Sequence, residues 1–200
     1  MNHRHHYLHN IKRAIQRAAG AGENDNYEEI QYEGYGPGGV AVIVKAMTDN
    51  RNRTGGDIRS YFIKCDGNLG ETGCVGWMFS EKGLINVNSF KTNEVEFDNL
   101  YLEAADLGAE DVKDLEDGSF QIITEPQLST LENMQKGLEK LGYATSDVEI
   151  SLIPTNIVEV NEEMVAKKVL KLIDLIENHD DVQDVYSNFE LKDDLVALFS

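Results

Sequence analysis

Two arginines, Arg51 and Arg53, lie just before a segment whose apolar residues recur at helical spacing. Free backbone N–H groups at a helix N-terminus bind phosphate, and the planar fork of an arginine side chain does the same. Arg59 follows on the polar side of this segment. The pattern predicts a phosphate-binding surface that holds nucleic acid. The residues alone leave a second interpretation open, in which these forks bridge local carboxylates or stay solvated.

Three further cationic residues, Lys12, Arg13 and Arg17, lie near the start of the chain. They occupy the polar side of a predicted helix over residues 11–19, which Asn10 caps. One face of this helix is therefore cationic. The three side chains are assigned to the same predicted nucleic-acid surface.

The acidic balance of the chain is concentrated in its second half. The formal net charge is −18, which argues against a general electrostatic grip on a phosphate polymer. Residues 1–91 contain 11 Lys and Arg against 10 Asp and Glu, whereas residues 92–200 contain 7 against 26. Every arginine lies at or before Arg59. The asymmetry indicates two regions with different roles, of which the first suits an anionic ligand better.

A dinucleotide-binding fingerprint, G-x-G-x-x-G, is matched by residues 34–39. The fingerprint requires a helix to open at its third glycine, so that backbone N–H groups meet the pyrophosphate. Here the β-branched residues that follow predict a strand instead. The segment is therefore predicted to be a structural loop with positive φ angles, formed by Gly34, Gly36, Pro37, Gly38 and Gly39.

Residues that could support other chemistries do not occur in a recognisable arrangement. The sequence has no G-x-S-x-G elbow, no H-E-x-x-H helix and no phosphate-binding loop that ends in G-K-[ST]. Cys65 and Cys74 lack CxxC spacing and are expected to be reduced thiols. Four of the five histidines lie in residues 1–9. His179 has no Cys, His or carboxylate partner at metal-ligand spacing and is expected at the surface. The sequence predicts a protein that is not an enzyme and uses neither a metal nor a cofactor.

The arginines are positioned by a predicted hairpin and helix. Residues 28–35 alternate between polar and apolar, and residues 40–47 are nearly all apolar, which predicts two paired strands. The helix that follows is predicted to begin at Thr54, with Asp57 at the capping-box position. Its apolar residues would pack on the sheet.

Two more strands complete the first predicted unit, which forms an antiparallel sheet with helices on one face. They cover residues 75–80 and 84–87, with a turn at Gly83 between them. The unit is predicted to span residues 10–90, after a flexible His-rich leader over residues 1–9.

Helices and strands continue in a second, acidic α/β unit over residues 91–190. Its last helix and strand could return to the first sheet, and the sequence leaves this open. Residues 191–200 form a tail, predicted as a short amphipathic helix that packs on the body of the protein. The predicted helices are 99–107, 127–141 and 162–177, and the predicted strands are 119–124, 147–154 and 182–189.

Several segments are distinctive beyond their secondary structure. They are YEEIQYEGYGPGGVAVIV at residues 27–44, TDNRNRT at 48–54, GNLG at 67–70, WMF at 77–79, IPTN at 153–156, KVLKLID at 168–174 and DDVQDVYSNF at 180–189. In these segments the chain resembles the YebC/PmpR family, over about residues 10–190.

The resemblance implies a regulator of gene expression that is not an enzyme. Bacterial members are labelled DNA-binding transcriptional regulators, and other members are translation factors that act on the ribosome, including mitochondrial translational activators of cytochrome c oxidase subunit I. The family fold is an N-terminal helical domain followed by two ferredoxin-like α+β domains. A cytoplasmic monomer that binds DNA or ribosomal RNA, and no membrane, is therefore expected.

This sequence departs from the family pattern at its start. Members open with a helical domain rich in Lys and Arg, whereas this chain joins the pattern at Asn10. The helical domain is therefore expected to be absent, and much of the family's positive charge with it. An alternative function follows, in which nucleic-acid binding is lost and the acidic residues 92–200 bind a basic partner such as a ribosomal protein.

Overall fold

The computed structural model describes residues 27–88, 97–115 and 118–199. The chain forms two compact units, one made of the residues up to Phe79 and from Pro154 onward, and the other of Ser80–Ile153. The expected leader and the predicted helix over residues 11–19 lie outside the described residues.

The described residues form antiparallel sheets with helices packed on them, which confirms the predicted α+β class. In chain order they are β1 (Glu28–Tyr35), β2 (Ala41–Thr48), α1 (Arg51–Lys64), β3 (Asn68–Leu69), β4 (Phe79–Asn88), α2 (Phe97–Asp106), β5 (Asp111–Asp114), β6 (Ser119–Thr124), α3 (Leu128–Lys140), β7 (Ala144–Pro154), β8 (Val158–Val160), α4 (Glu163–Glu177), β9 (Val182–Ser187), β10 (Phe189–Leu191) and α5 (Asp193–Phe199).

The first unit is built on a four-stranded antiparallel sheet with strand order β3-β1-β2-β9. Helix α1 links β2 to β3, which flank β1, so the sheet contains a split β-α-β arrangement. Strand side chains alternate between the two faces of a sheet. Val40, Val42 and Val44 therefore share one face, where they form the core with the apolar sides of α1 and α4.

The second unit has the element order β4-α2-β5-β6-α3-β7 and the strand order β5-β6-β4-β7. This is the β-α-β-β-α-β arrangement of ferredoxin-like domains. Residues from both helices and from three strands fill its core, which contains Ile85, Val87, Leu100, Ala104, Val112, Phe120, Ile122, Leu131, Met134 and Leu138.

A short parallel pair, β10 with β8, forms a separate small sheet. Helix α5 follows it and buries Leu195 in the core of the first unit, with Phe199 packed beside it. The tail therefore packs on the body, as its amphipathic pattern predicts. Within the described residues, no helix is both long enough and apolar enough to cross a lipid bilayer.

The predicted turn at Gly83 is wrong, because β4 continues through it from Phe79 to Asn88. Gly83 is needed there for close packing. A Cβ at this position would lie 2.4 Å from Thr124 Oγ1 and 2.8 Å from Leu131 Cδ2. A glycine inside a strand can mark a close approach as well as a turn.

The division into units differs from the sequence boundary expected near residue 90. The second unit begins at Ser80, and the chain returns to the first unit at Pro154. Helix α4 and strand β9 accordingly belong to the first unit, where β9 pairs with β2. The change in charge near residue 92 does not coincide with either boundary between the units, at Ser80 or at Pro154. Surface charge and core packing are set by different residues.

Replacing Gly56 by Ala is expected to raise the free energy of unfolding by about 0.5–1 kcal/mol, because Ala is the better helix former. Gly56 lies in α1, and a Cβ added there meets no atom within 4 Å. Urea denaturation followed by circular dichroism measures the change. A Gly56→Ala variant less stable than the wild type would contradict this description of α1.

The matched control is Gly34→Ala on β1. A Cβ there would lie 2.7 Å from Asn68 O and 2.8 Å from Phe62 Cε1. This variant is expected to lose about 1–3 kcal/mol, because a packed backbone and ring must shift to admit it.

Candidate nucleic-acid interface

Helix α1 begins at Arg51, and Asn50 caps it. Asn50 Oδ1 accepts a hydrogen bond from the Arg53 backbone N–H at 3.1 Å, and the Asn50 N–H donates to Thr48 Oγ1 at 2.9 Å. The prediction that Thr54 caps the helix is wrong, because Thr54 lies inside the first turn. Asn is an equally good cap, and it lies close to the end of β2, where the chain turns. The two arginines therefore belong to the helix rather than to a loop before it.

A buried carboxylate, Asp181, fixes this end of α1 to the sheet. The residue is 7% exposed, and its Oδ2 atom accepts hydrogen bonds from Thr54 Oγ1 at 2.7 Å, Arg53 Nη2 at 3.0 Å and Thr48 Oγ1 at 3.1 Å. Burial by itself raises the pKa of Asp181, but these donors and the Arg53 charge outweigh it and lower the pKa. We call Thr48, Asn50, Arg53, Thr54 and Asp181 the α1 brace.

Arg53 is bound to carboxylates on both sides. Its Nη2 atom lies 3.0 Å from Asp181 Oδ2 and 3.0 Å from Asp49 Oδ1. The hydrogen bond and charge of Asp181, followed by the charge of Asp49, raise the pKa of the guanidinium. The fork thus bridges one carboxylate four residues away in sequence, Asp49, and one that is 128 residues away, Asp181. The i, i+4 spacing indicates the first pair, whereas no local pattern reveals the second.

Arg51 and Arg59 are placed differently from Arg53. Both are exposed on α1, and neither forms an ion pair with any residue that the structure describes. They are eight residues apart, which is about 12 Å along the helix axis at 1.5 Å per residue. The backbone O of Arg51 accepts from Tyr32 Oη at 3.3 Å, so its position is fixed against β1.

Two glycines, Gly55 and Gly56, lie between these arginines along α1. A Cβ at Gly55 would only touch the Tyr32 ring at 3.5 Å, and one at Gly56 would meet nothing within 4 Å. No close packing therefore requires Gly56. A ligand can approach the helix backbone here more closely than over any larger residue.

His179 supports the same end of α1 from the turn before β9, and sequence reasoning missed it. Its side chain is only 9% exposed, so the expected surface position is wrong. Nδ1 accepts from the Asp181 N–H at 3.1 Å, which leaves Nε2 to donate to Asp57 Oδ2 at 3.3 Å. The Tyr61 ring packs edge-on against it. Asp57 is 122 residues away in sequence, so no local pattern reveals the pair.

The glycine loop joins β1 to β2 through a single 3-10 turn, Pro37–Gly39. Gly38 and Gly39 have φ angles of 70° and 76°, and the Gly36 N–H donates to Val40 O at 2.7 Å. Gly34 and Gly36 have neighbours within 3.1 Å of where a Cβ would lie. A strand follows the turn, so there is no helix N-terminus for a pyrophosphate.

The remaining predicted cations, Lys12, Arg13 and Arg17, lie outside the described residues. Among the residues that the structure does describe, no group of three or more His, Cys, Asp or Glu side chains is arranged to hold a metal ion.

Asp181→Asn is expected to lower the free energy of unfolding at neutral pH by about 1.5–3 kcal/mol, because hydrogen bonds to a charged acceptor are lost. The folded-state pKa of Asp181 is lowered. The stabilisation is therefore complete above the unfolded pKa of about 3.9 and disappears as the pH falls through the folded-state pKa. The difference in free energy of unfolding between wild type and variant should stay constant from about pH 7 to pH 5 and decrease below about pH 4.

Urea denaturation at each pH measures this gap. The matched control is Asp49→Asn, which removes the exposed partner of the same guanidinium and should change stability by less than about 0.5 kcal/mol. A gap that stays constant down to about pH 2 would show that the Asp181 charge is not what stabilises the brace.

Comparisons with known proteins identify relatives of this chain. The family described as "TACO1/YebC second and third domain" matches residues 27–189. A probable transcriptional regulatory protein of Desulfotalea psychrophila is 49% identical over 187 residues, which cover 94% of this chain and 72% of the relative. Another, from Geobacter sulfurreducens, is 47% identical over 182 residues, which cover 91% of this chain and 70% of the relative.

A solved structure has the same fold. The crystal structure of a conserved hypothetical protein from Aquifex aeolicus aligns with a TM-score of 0.75 and 44% identity, covering 93% of this chain and 74% of that one. The match agrees with the two α+β units described above. On the family match and these relatives, the chain belongs to the TACO1/YebC family.

Proposed function

We propose that the chain is a regulator of gene expression, without enzymatic activity, that binds nucleic acid through the exposed side of α1. The observation that carries the proposal is that Arg51 and Arg59 are exposed and form no ion pair among the described residues, on a helix held by a buried brace. Relatives named probable transcriptional regulatory proteins support a regulatory role.

In this proposal the two arginines contact phosphates, and the open surface at Gly56 lets the nucleic-acid backbone approach the helix. Arginine is suited to this task because its fork donates two parallel hydrogen bonds to one phosphate. Arg53 is given a positioning role instead, since its fork already holds Asp181 and Asp49. Lys12, Arg13 and Arg17 are proposed as further phosphate contacts.

The overall charge limits what this surface can bind. A chain with a net charge of −18 is repelled by long polyanions, so the contact must be local. Two or three phosphate contacts give a slope of about −2 to −3 in log K against log salt on duplex DNA. The proposed targets are duplex DNA and ribosomal RNA on the ribosome, which the same salt series compares.

The Arg51→Glu/Arg59→Glu variant is expected to weaken binding by roughly tenfold or more, because it removes two phosphate contacts and adds repulsion. Co-sedimentation with purified ribosomes and fluorescence titration with random duplex DNA, each across a salt series, measure the effect. The preferred target, ribosome or duplex DNA, is the one that binds the wild type more tightly and loses more affinity for the double variant.

The matched control is Lys113→Glu/Lys136→Glu in the second unit. It makes the same change in net charge at exposed positions that do not belong to the first unit. If both double variants lose binding equally, net charge rather than the α1 surface is responsible. Arg53→Glu is kept separate, because unfolding of the brace would confound its effect on binding.

A second candidate function is a protein-interaction module that acts through the acidic region. Ser80–Ile153 contains 5 Lys and no Arg against 16 Asp and Glu. On α2 in the same unit, Leu102 is 64% exposed and Tyr101 is 42% exposed. A basic protein surface would complement this combination of charge and apolar area. Ribosome binding that survives charge reversal at Arg51 and Arg59 and digestion of accessible RNA would favour this function over the first.

A further inference from the structure

Trp77, the single tryptophan of the chain, is 71% exposed. It lies in the 3-10 turn Gly76–Met78 that precedes β4. Although most of the ring faces solvent, its indole N–H donates to Cys74 O at 3.1 Å. The side chain is therefore held in one orientation with much of its aromatic surface open. Tryptophan is among the residues that contribute most to binding when a partner covers them.

The backbone around Trp77 is anchored from below by a buried carboxylate. Glu33 on β1 is 3% exposed, and its Oε2 atom accepts from the Gly76 N–H at 2.7 Å and the Val75 N–H at 3.0 Å. Burial by itself raises the pKa of Glu33, but hydrogen bonds from the Gly73 backbone, the Gln31 side chain and the Val75 and Gly76 backbone outweigh it and lower the pKa. We call residues 70–78 the Trp77 loop.

A second anchor holds the other end of the Trp77 loop. Met78 O accepts from the Thr155 N–H at 2.8 Å and from Thr155 Oγ1 at 3.0 Å. Tyr35 Oη donates to Cys74 O at 3.1 Å, the same carbonyl that orients Trp77. A rigid, exposed aromatic ring with this much support is pre-organised for binding, because little side-chain freedom is lost when a partner arrives.

The charges near the loop select the partner. Residues 65–81 and 154–166, which contain the loop and its Thr155 anchor, include no Lys or Arg, although Lys64, Lys82 and Lys167 flank them in sequence. The loop sits on the Glu33 carboxylate and contains Glu71. Cys74, whose backbone carbonyl orients Trp77, reports on this charge. Burial first, and then the negative charges of Glu33 and Glu71, raise the pKa of its thiol. This surface repels phosphate and attracts a cation.

We propose that Trp77 is a docking point for an arginine side chain of a basic polypeptide partner. The guanidinium would stack on the open face of the indole, the best aromatic ring for a cation, while Glu71 supplies the opposite charge. A stacked nucleobase would suit the ring but would bring its phosphate into a negative field. The site is separate from the α1 surface and does not depend on the proposed function of that surface.

The test uses the full chain with two synthetic probes at near-physiological salt. One is a fluorescein-labelled nonapeptide of alternating Arg and Gly, and the other contains citrulline, which has the shape of arginine without its charge. Peptide anisotropy gives affinity, and the emission of unlabelled protein reports on Trp77 alone. A 12-mer of oligouridine provides the nucleic-acid comparison.

Three variants locate the contact. Trp77→Leu removes the ring without changing the net charge, and Trp77→Phe keeps a weaker ring in case Leu disturbs the fold, which circular dichroism checks. Glu71→Gln removes the proposed counter-charge. Its control is Glu132→Gln on α3, which changes the net charge by the same amount. Glu132 is exposed and lies in the second unit.

We expect the arginine peptide to change Trp77 emission and to bind about threefold or more weakly to Trp77→Leu, with Trp77→Phe between the two. Glu71→Gln should weaken it more than Glu132→Gln does, and the citrulline peptide should bind more weakly than the arginine peptide. Equal binding of the two peptides, unchanged affinity in Trp77→Leu, or a larger emission change with oligouridine than with the arginine peptide would overturn the proposal. So would the absence of any emission change with the arginine peptide.

Discussion

The packing of α1 against the sheet of the first unit depends on a buried negative charge, the Asp181 carboxylate. One of its oxygens accepts from Thr48 at the end of β2 and from Thr54 and Arg53 in the first turn of α1. A buried carboxylate without donors would be strongly disfavoured, so the helix, the strand and the turn before β9 must come together for any of them to be stable. The exposed side of α1 is aligned by this requirement, and the positions of Arg51 and Arg59 follow from it.

Glu33 performs the same task on the other face of the same sheet, but with different donors. The Asp181 carboxylate accepts from three side chains, whereas one oxygen of Glu33 accepts from the backbone N–H groups of Val75 and Gly76 and the other from the Gln31 side chain. Donors from the backbone hold a loop with no regular structure of its own, and donors from side chains hold a helix end whose own N–H groups are capped by Asn50. Both carboxylates have lowered pKa values, so each anchor keeps its charge at neutral pH. Some of the acidity of this chain therefore stabilises the interior rather than the surface.

Local patterns in the sequence were sufficient for most of the elements. Alternation identified β1 with its observed bounds, and the apolar stripe of α4 placed that helix to within one residue. Both signals are periodic within one segment, and the element itself produces them. The cap of α1 was missed because Asn50 and Thr54 are both acceptable caps, and what decides between them is Asp181, far along the chain.

The same limit applies to the candidate site. Residue type was enough to select Arg51, Arg53 and Arg59. That Arg53 is ion-paired while the other two are not depends on which carboxylates reach it in the fold. His179 was wrongly expected at the surface for the same reason, since Asp57 comes to it from another element. The short strands β3, β5 and β8 also escaped prediction. Strands of two to four residues have too few alternations to stand out, and they form only because a neighbouring strand pairs with them.

Helix α1, which Asp181 anchors, and the Trp77 loop, which Glu33 anchors, lie on opposite faces of one sheet. Tyr32 packs in the core beneath α1. Glu33, the next residue on β1, must point the other way because strand side chains alternate, and the Trp77 loop sits on its carboxylate. The exposed arginines of α1 suit an anion, and the surroundings of Trp77 suit a cation. A target that combines nucleic acid with basic protein could therefore occupy both faces at once without competition between them, because neither ligand would have to cross the sheet.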